Sequence, residues 1–158
     1  DRHVVFLGNG PLQSEVIDWS RRYPNIHYHP AVPPQELLGF TSGADVGISL
    51  LENTCLNHYY CLPNKIFEYL LCGLPVIISD FPEMASIIDE NGCGWKSTVS
   101  TESLVELLGS LTPQEIANKT IAAQECASKF GWLNEERILI ALYNKLISRH
   151  SEKRGRFT

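Results

Sequence analysis

Residues 62–77, Leu-Pro-Asn-Lys-Ile-Phe-Glu-Tyr-Leu-Leu-Cys-Gly-Leu-Pro-Val-Ile, pass from loop to helix to glycine stop to buried strand within a single short stretch. Pro63 suits the first turn of a helix, where its missing N–H is not needed. Ile66, Tyr69 and Leu70 follow helical spacing, and Gly73 is a natural C-terminal stop. Val76, Ile77 and Ile78 then read as a strand covered on both faces, as in parallel sheets. A chain built around such a unit is constrained to layers of helix on a parallel sheet.

The rest of the chain repeats that grammar. His3 to Leu7 is an apolar strand running into Gly8-Asn9-Gly10-Pro11 and then a helix with Leu12, Val16 and Trp19 on one face. Asn25 to His29 is a second strand, and Pro34 opens a helix carrying Leu37, Leu38 and Phe40. Asp45 to Leu51 is a third strand, followed by a polar loop over residues 52–61. Asp80 reads as the N-cap of a helix containing Pro82, Met84, Ile87 and Ile88. Trp95 begins a last short strand. Ser100 or Thr101 caps a helix bearing Leu104, Leu107, Leu108 and Leu111, and Thr112-Pro113-Gln114-Glu115 starts the next. The final helix runs from about Leu133 to Ile147, with Leu139, Leu142, Tyr143 and Leu146 on one face. This order predicts an α/β fold: a doubly wound, Rossmann-like parallel sheet with helices on both faces, closed by C-terminal helices. It also predicts one domain over residues 1–148 and a basic, disordered tail over 149–158.

Charge narrows the function. The net charge of −5 and the lack of a basic face in the main body argue against nucleic acid as a partner. Arg149, Lys153, Arg154 and Arg156 make the tail basic, which reads as a solvated end or as a weak anchor for an anionic membrane surface. The five cysteines have no metal-ligand spacing and are odd in number, which points to free thiols in a reducing compartment. Cys55, His58 and Cys61 cluster in one loop without a visible fourth ligand, so no metal is expected there. No apolar run is long enough to span a bilayer.

Two charges interrupt the apolar pattern of the central helix. Lys65 and Glu68 are three apart and project from one side. A cation and a carboxylate one turn apart near a helix N-terminus can meet a phosphate and a sugar hydroxyl. The plainer explanation is a surface ion pair worth a few tenths of a kcal/mol. The glycine turn at Gly8 and Gly10 lets backbone approach a ligand, with a helix N-terminus behind it that favours anions. A tight structural turn explains it equally well. Glu83, in the first turn of its helix, is explained by the helix dipole as well as by a ligand. His58, Tyr59 and Tyr60 read either as a flexible lid or as a stacking surface.

Three segments together resemble the C-terminal, donor-binding domain of family-4-like glycosyltransferases of GT-B architecture. They are Phe6 to Leu12; Ile26 to Val32 with Pro34 to Leu38 and Gly43 to Val46; and Leu62 to Tyr69 with Gly73 to Ile77. Gly131-Trp132 and Leu142-Tyr143 resemble the family's closing helix. The resemblance implies a nucleotide-diphosphate-sugar donor and hexosyl transfer with retention, to a glycan or lipid-linked acceptor, in cell-surface polysaccharide synthesis. It implies that Glu68 holds the donor ribose, that the amides of Asn64 and Lys65 after Pro63 face the diphosphate, and that the turn from His29 to Val32 edges the base. No cofactor or metal is implied, since helix dipoles and basic side chains stabilise the leaving diphosphate. The family's second glutamate, near the donor sugar, falls at Tyr60, so either Glu52 or Asn57 makes that contact or the donor differs. The family's upstream Arg and Lys and its N-terminal acceptor domain have no counterpart here. The sequence therefore reads as a fragment of a longer cytoplasmic enzyme, peripheral to the membrane at most, with little activity alone. The competing expectation is a non-catalytic α/β module binding a nucleotide or a protein.

Overall fold

The computed structural model describes residues 2–154, with side chains through residue 148. The chain divides into two compact units, Asp1–Phe40 and Thr41–Thr158.

In the first unit, β1 (Val4–Leu7) and β2 (Ile26–His29) pair in parallel, from Val4 opposite Ile26 to Leu7 opposite His29. Helix α1 (Gln13–Arg22) crosses between them and lies against β2, burying Val16. Leu12 and Trp19, expected on the same face, are exposed; Leu12 is the N-cap and lies outside the helix. Helix α2 (Pro34–Thr41) opens at Pro34 as the sequence predicts, but Leu38 and Phe40 are exposed and no residue in it is buried.

The second unit holds the main core. Strands β3 (Gly47–Ser49), β4 (Val76–Ser79) and β5 (Gly94–Ser97) form a parallel sheet in the order β3-β4-β5. Between them run α3 (Leu56–Tyr59), α4 (Asn64–Leu71) and α5 (Pro82–Asn91), and after them α6 (Thr101–Ser110), α7 (Pro113–Ala127) and α8 (Trp132–Arg154). Every residue of the central strand β4 is buried, as its unbroken apolar run requires. Val76 and Ile78 join Ile66 and Leu70 of α4, Met84, Ile87 and Ile88 of α5, and Ala123 and Cys126 of α7 in one cluster. Burying Ile66 and Leu70 on one stripe fixes the rotation of α4, and with it the directions of Lys65 and Glu68.

The α/β fold with parallel strands and flanking helices is the expected one. Its pairing is divided, however, with one sheet in each unit. Other differences are local. Residue 80 is not the N-cap of α5; the Asp80 N–H instead bonds Ser97 O at 3.3 Å, and Phe81 takes the cap position without a side-chain bond. Strand β3 is shorter than expected, and the polar loop after it contains the single-turn helix α3. Helix α8 starts at Trp132 and continues to Arg154, into the stretch expected as a tail; residues 155–158 lie outside the described residues. Its expected inner face is exposed at Leu139, Leu142, Tyr143 and Leu146. Among the described residues no helix is long and apolar enough to cross a membrane.

Candidate functional site

Helix α4 is held firmly at its C-terminal end. Gly73, at φ +74°, donates to Leu70 O at 2.8 Å, and Leu74 N donates to Tyr69 O at 2.9 Å. This is the paired closure of a Schellman turn, and the left-handed backbone there suits glycine. Tyr69 anchors the helix sideways. Its hydroxyl donates to Ile48 O at 3.3 Å, and its ring occupies the place a side chain at Gly47 would take.

The N-terminal end is open. Pro63 is the N-cap, one position before the helix and not inside its first turn, and no side chain caps α4. Ile66 N reaches Pro63 O at 3.1 Å. The amides of Asn64 and Lys65 precede the first intrahelical bond and point out of the helix end, where an anion is favoured. Asn64 and Lys65 are exposed and Glu68 is half-buried. The ion pair that would explain the two charges simply is not formed. Among the described residues the ion pairs are Arg22 with Asp18 and Lys96 with Asp80 and Asp89. Glu68 nevertheless acts on its neighbours. Burial pushes the Tyr69 hydroxyl and the Cys72 thiol up, and the negative charge of Glu68 adds to both.

A second group forms in the first unit, at the carboxyl ends of β1 and β2. Gly8 N donates to His29 O at 3.0 Å, and Gly8 adopts φ +138°. Asn9 then ties the glycine turn to the turn after β2: its Oδ1 accepts from Ala31 N at 3.3 Å and from Tyr28 Oη at 3.4 Å. His29 packs on Phe40 at 4.8 Å between ring centroids. Gly8, Gly10, His29 and the half-buried Val32 thus share one loop cluster, with open space beside both glycines. Asn9 is an addition to the residues expected at the site. An Asn between two glycines, able to accept two bonds across a turn, was the available signal. Pro63, Asn64, Lys65, Glu68 and Glu83 belong to the other unit. Glu83 is exposed in the first turn of α5.

The loop after β3 is more ordered than its composition suggests. His58 Nδ1 lies 2.9 Å from Thr54 Oγ1 and 3.2 Å from Glu52 O, and Cys61 Sγ donates to His58 O. Tyr59 packs against Phe81 at 5.3 Å and against Tyr60 at 4.9 Å. Tyr60, Glu52 and Asn57 are exposed. Among the described residues no group of three or more His, Cys, Asp or Glu could hold a metal ion.

Taken as chemistry, α4 offers two free amides and an ammonium for an anion, and a carboxylate that can accept from hydroxyls. A family model described as "Glucosyltransferase 3-like, C-terminal domain" matches residues 12–137. No curated protein matches the chain. Among solved structures, a similar chain is that of "AviGT4, a glycosyltransferase involved in Avilamycin A biosynthesis", at 18% identity and a TM-score of 0.45. The similarity covers 89% of this chain and 44% of that one, so this chain spans less than half of its length.

Proposed function

The chain belongs to the family of glucosyltransferase 3-like C-terminal domains, and on that premise we propose that it is the donor-binding domain of a hexosyltransferase that uses a nucleotide-diphosphate sugar. The observation that carries this reading is the open N-terminus of α4, with Lys65 and Glu68 unpaired one turn apart. The free amides of Asn64 and Lys65 and the Lys65 ammonium receive the diphosphate. Helix partial charge and ammonium then stabilise the negative charge that grows on the diphosphate as the glycosidic bond breaks. Glu68 accepts from the ribose hydroxyls. No metal takes part in this scheme.

Transfer itself calls on an acceptor-binding domain in the whole protein. The acceptor is a glycan or lipid-linked sugar, and the reaction retains configuration at the anomeric carbon. We place this GT-B enzyme in cell-surface polysaccharide synthesis, at the cytoplasmic side of the membrane.

Thermal melts with UDP and GDP test the reading. At ten times Kd a ligand bound only by the folded state adds about 1.4 kcal/mol. That corresponds to roughly 3–6 °C for a chain of this size. Glu68→Ala should abolish the shift. No shift with either nucleotide, or an equal shift in Glu68→Ala, refutes the assignment.

A further inference from the structure

A cleft of about 230 Å³ opens in the second unit, at the carboxyl ends of β4 and β5. That is the end of a parallel sheet at which ligands bind. Its volume has room for a single sugar ring.

The floor is polar and already satisfied. Ser79 Oγ accepts from Leu51 N at 2.7 Å and donates to Leu51 O at 2.9 Å. Ser97 Oγ donates to Thr98 O at 2.9 Å and lies 3.3 Å from Ser103 Oγ. Both serines are buried, so the floor is rigid and has no unmet demand of its own.

The rim is different, because its polar groups are exposed and only Asp80 has a partner, a distant one. Asn53 and Thr98 are exposed, and neither side chain makes a hydrogen bond within the described residues. The Asp80 carboxylate is exposed, and its partner Lys96 stands 3.8 Å away. Lys96 is committed elsewhere, with two hydrogen bonds to Asp89 at 2.7 and 2.9 Å. Phe81 forms an apolar wall, braced from behind by Tyr59 at 5.3 Å. Val99 extends that apolar surface.

Such a cleft selects its ligand class. A carboxylate accepts from two neighbouring hydroxyls, while an amide and a hydroxyl each donate and accept. An aromatic ring covers an apolar C–H face. With Asp80 at the rim and the nearby ammonium engaged by Asp89, the charge balance disfavours phosphate and carboxylate ligands. The matching chemistry is a small neutral polyol with one apolar face. We infer that this cleft binds one neutral pyranose unit, at a place separate from the nucleotide groups on α4.

Amide NMR of the chain, titrated with methyl hexosides in the absence of nucleotide, tests this. The expected result is saturable shifts at residues 79–81 and 97–99 for at least one hexoside. A Kd in the millimolar range is expected of so small a ligand on an open cleft. Asp80→Ala and Asn53→Ala should each weaken binding about tenfold or more, with the rest of the spectrum unchanged. Asp80→Asn, which keeps the shape and removes the charge, should weaken it less than Asp80→Ala. Three results overturn the inference: no hexoside moves these signals, the three variants bind as the parent does, or UDP, GDP or inorganic phosphate alone produces the same shifts.

Discussion

Replacing Gly47 by alanine should loosen the anchoring of α4 on the sheet. A Cβ at this position would stand 2.3 Å from Tyr69 Cγ, 2.4 Å from Cδ2 and 2.9 Å from Cβ, against an ordinary contact of 3.4–4 Å. The clashing atoms sit at the root of the side chain, so turning the ring does not relieve them. The helix must withdraw from β3, and Ile66 and Leu70 go with it. Overpacking of this kind costs about 1–3 kcal/mol. The hydrogen bond from Tyr69 to Ile48 O is lost as well, adding about 1 kcal/mol. With a urea dependence of about 2 kcal/mol per molar, the midpoint should fall by roughly 1–2 M. Equilibrium unfolding by circular dichroism measures this. Tyr69→Ala alone is also destabilising, but the double variant should be less so than the sum, because the clash is gone. An unchanged midpoint for Gly47→Ala, or strict additivity in the pair, would show that Tyr69 does not pin α4 through Gly47.

Three further tests probe the core. Ser79→Ala strips both hydrogen bonds from Leu51 beside a buried strand and should cost about 1–3 kcal/mol in thermal or urea unfolding; a wild-type melt would mean that water replaces the hydroxyl without loss. Cys93 carries the largest thiol shift: burial, then the charge and hydrogen bond of Cys126, push it from 9.0 up to about 12. The folded value lies above the unfolded one. Its contribution to stability is therefore complete below pH 9 and fades as pH rises toward 12. Near neutral pH, iodoacetamide should label exposed Cys55 first and leave buried Cys93 and Cys126 untouched until the chain unfolds, as read by peptide mass mapping. Early labelling of Cys93 would contradict the burial.

Local chemistry was legible, and distant contact was not. Thr112 and Glu115 announce a capping box four residues long, and the structure forms both of its bonds. Ser100 caps α6 through the amide of Ser103, and Gly73 ends α4, for reasons contained in their own neighbourhoods. The Val76–Ile78 run reads as a buried strand because its side chains are all branched and apolar. Gly47 looked like an ordinary strand residue, since its need for hydrogen in place of a side chain comes from Tyr69, far along the chain. Asn9 was hidden in the same way, because its partners arrive with β2. The single-turn α3 carries no periodic signal, because one turn is too short to display a period. In α8 the apolar spacing identified a helix, but spacing alone does not say whether anything covers its face. The carboxylate and ammonium of α4 were found from sequence. That they stand apart, unpaired, depends on side-chain placement, which helical spacing alone does not decide.

In the proposed scheme, that separation governs how α4 would receive the diphosphate. A site whose own charges are paired must first part them, and the free energy of that parting is subtracted from every binding event. Lys65 and Glu68 have no such preliminary step. The end of α4 is also fixed in advance by the turn at Gly73 and by Tyr69, so its two amides need no rearrangement to converge on an anion. The helix is poised electrostatically at rest, and binding there is opposed mainly by loss of water and by ordering of the lysine chain.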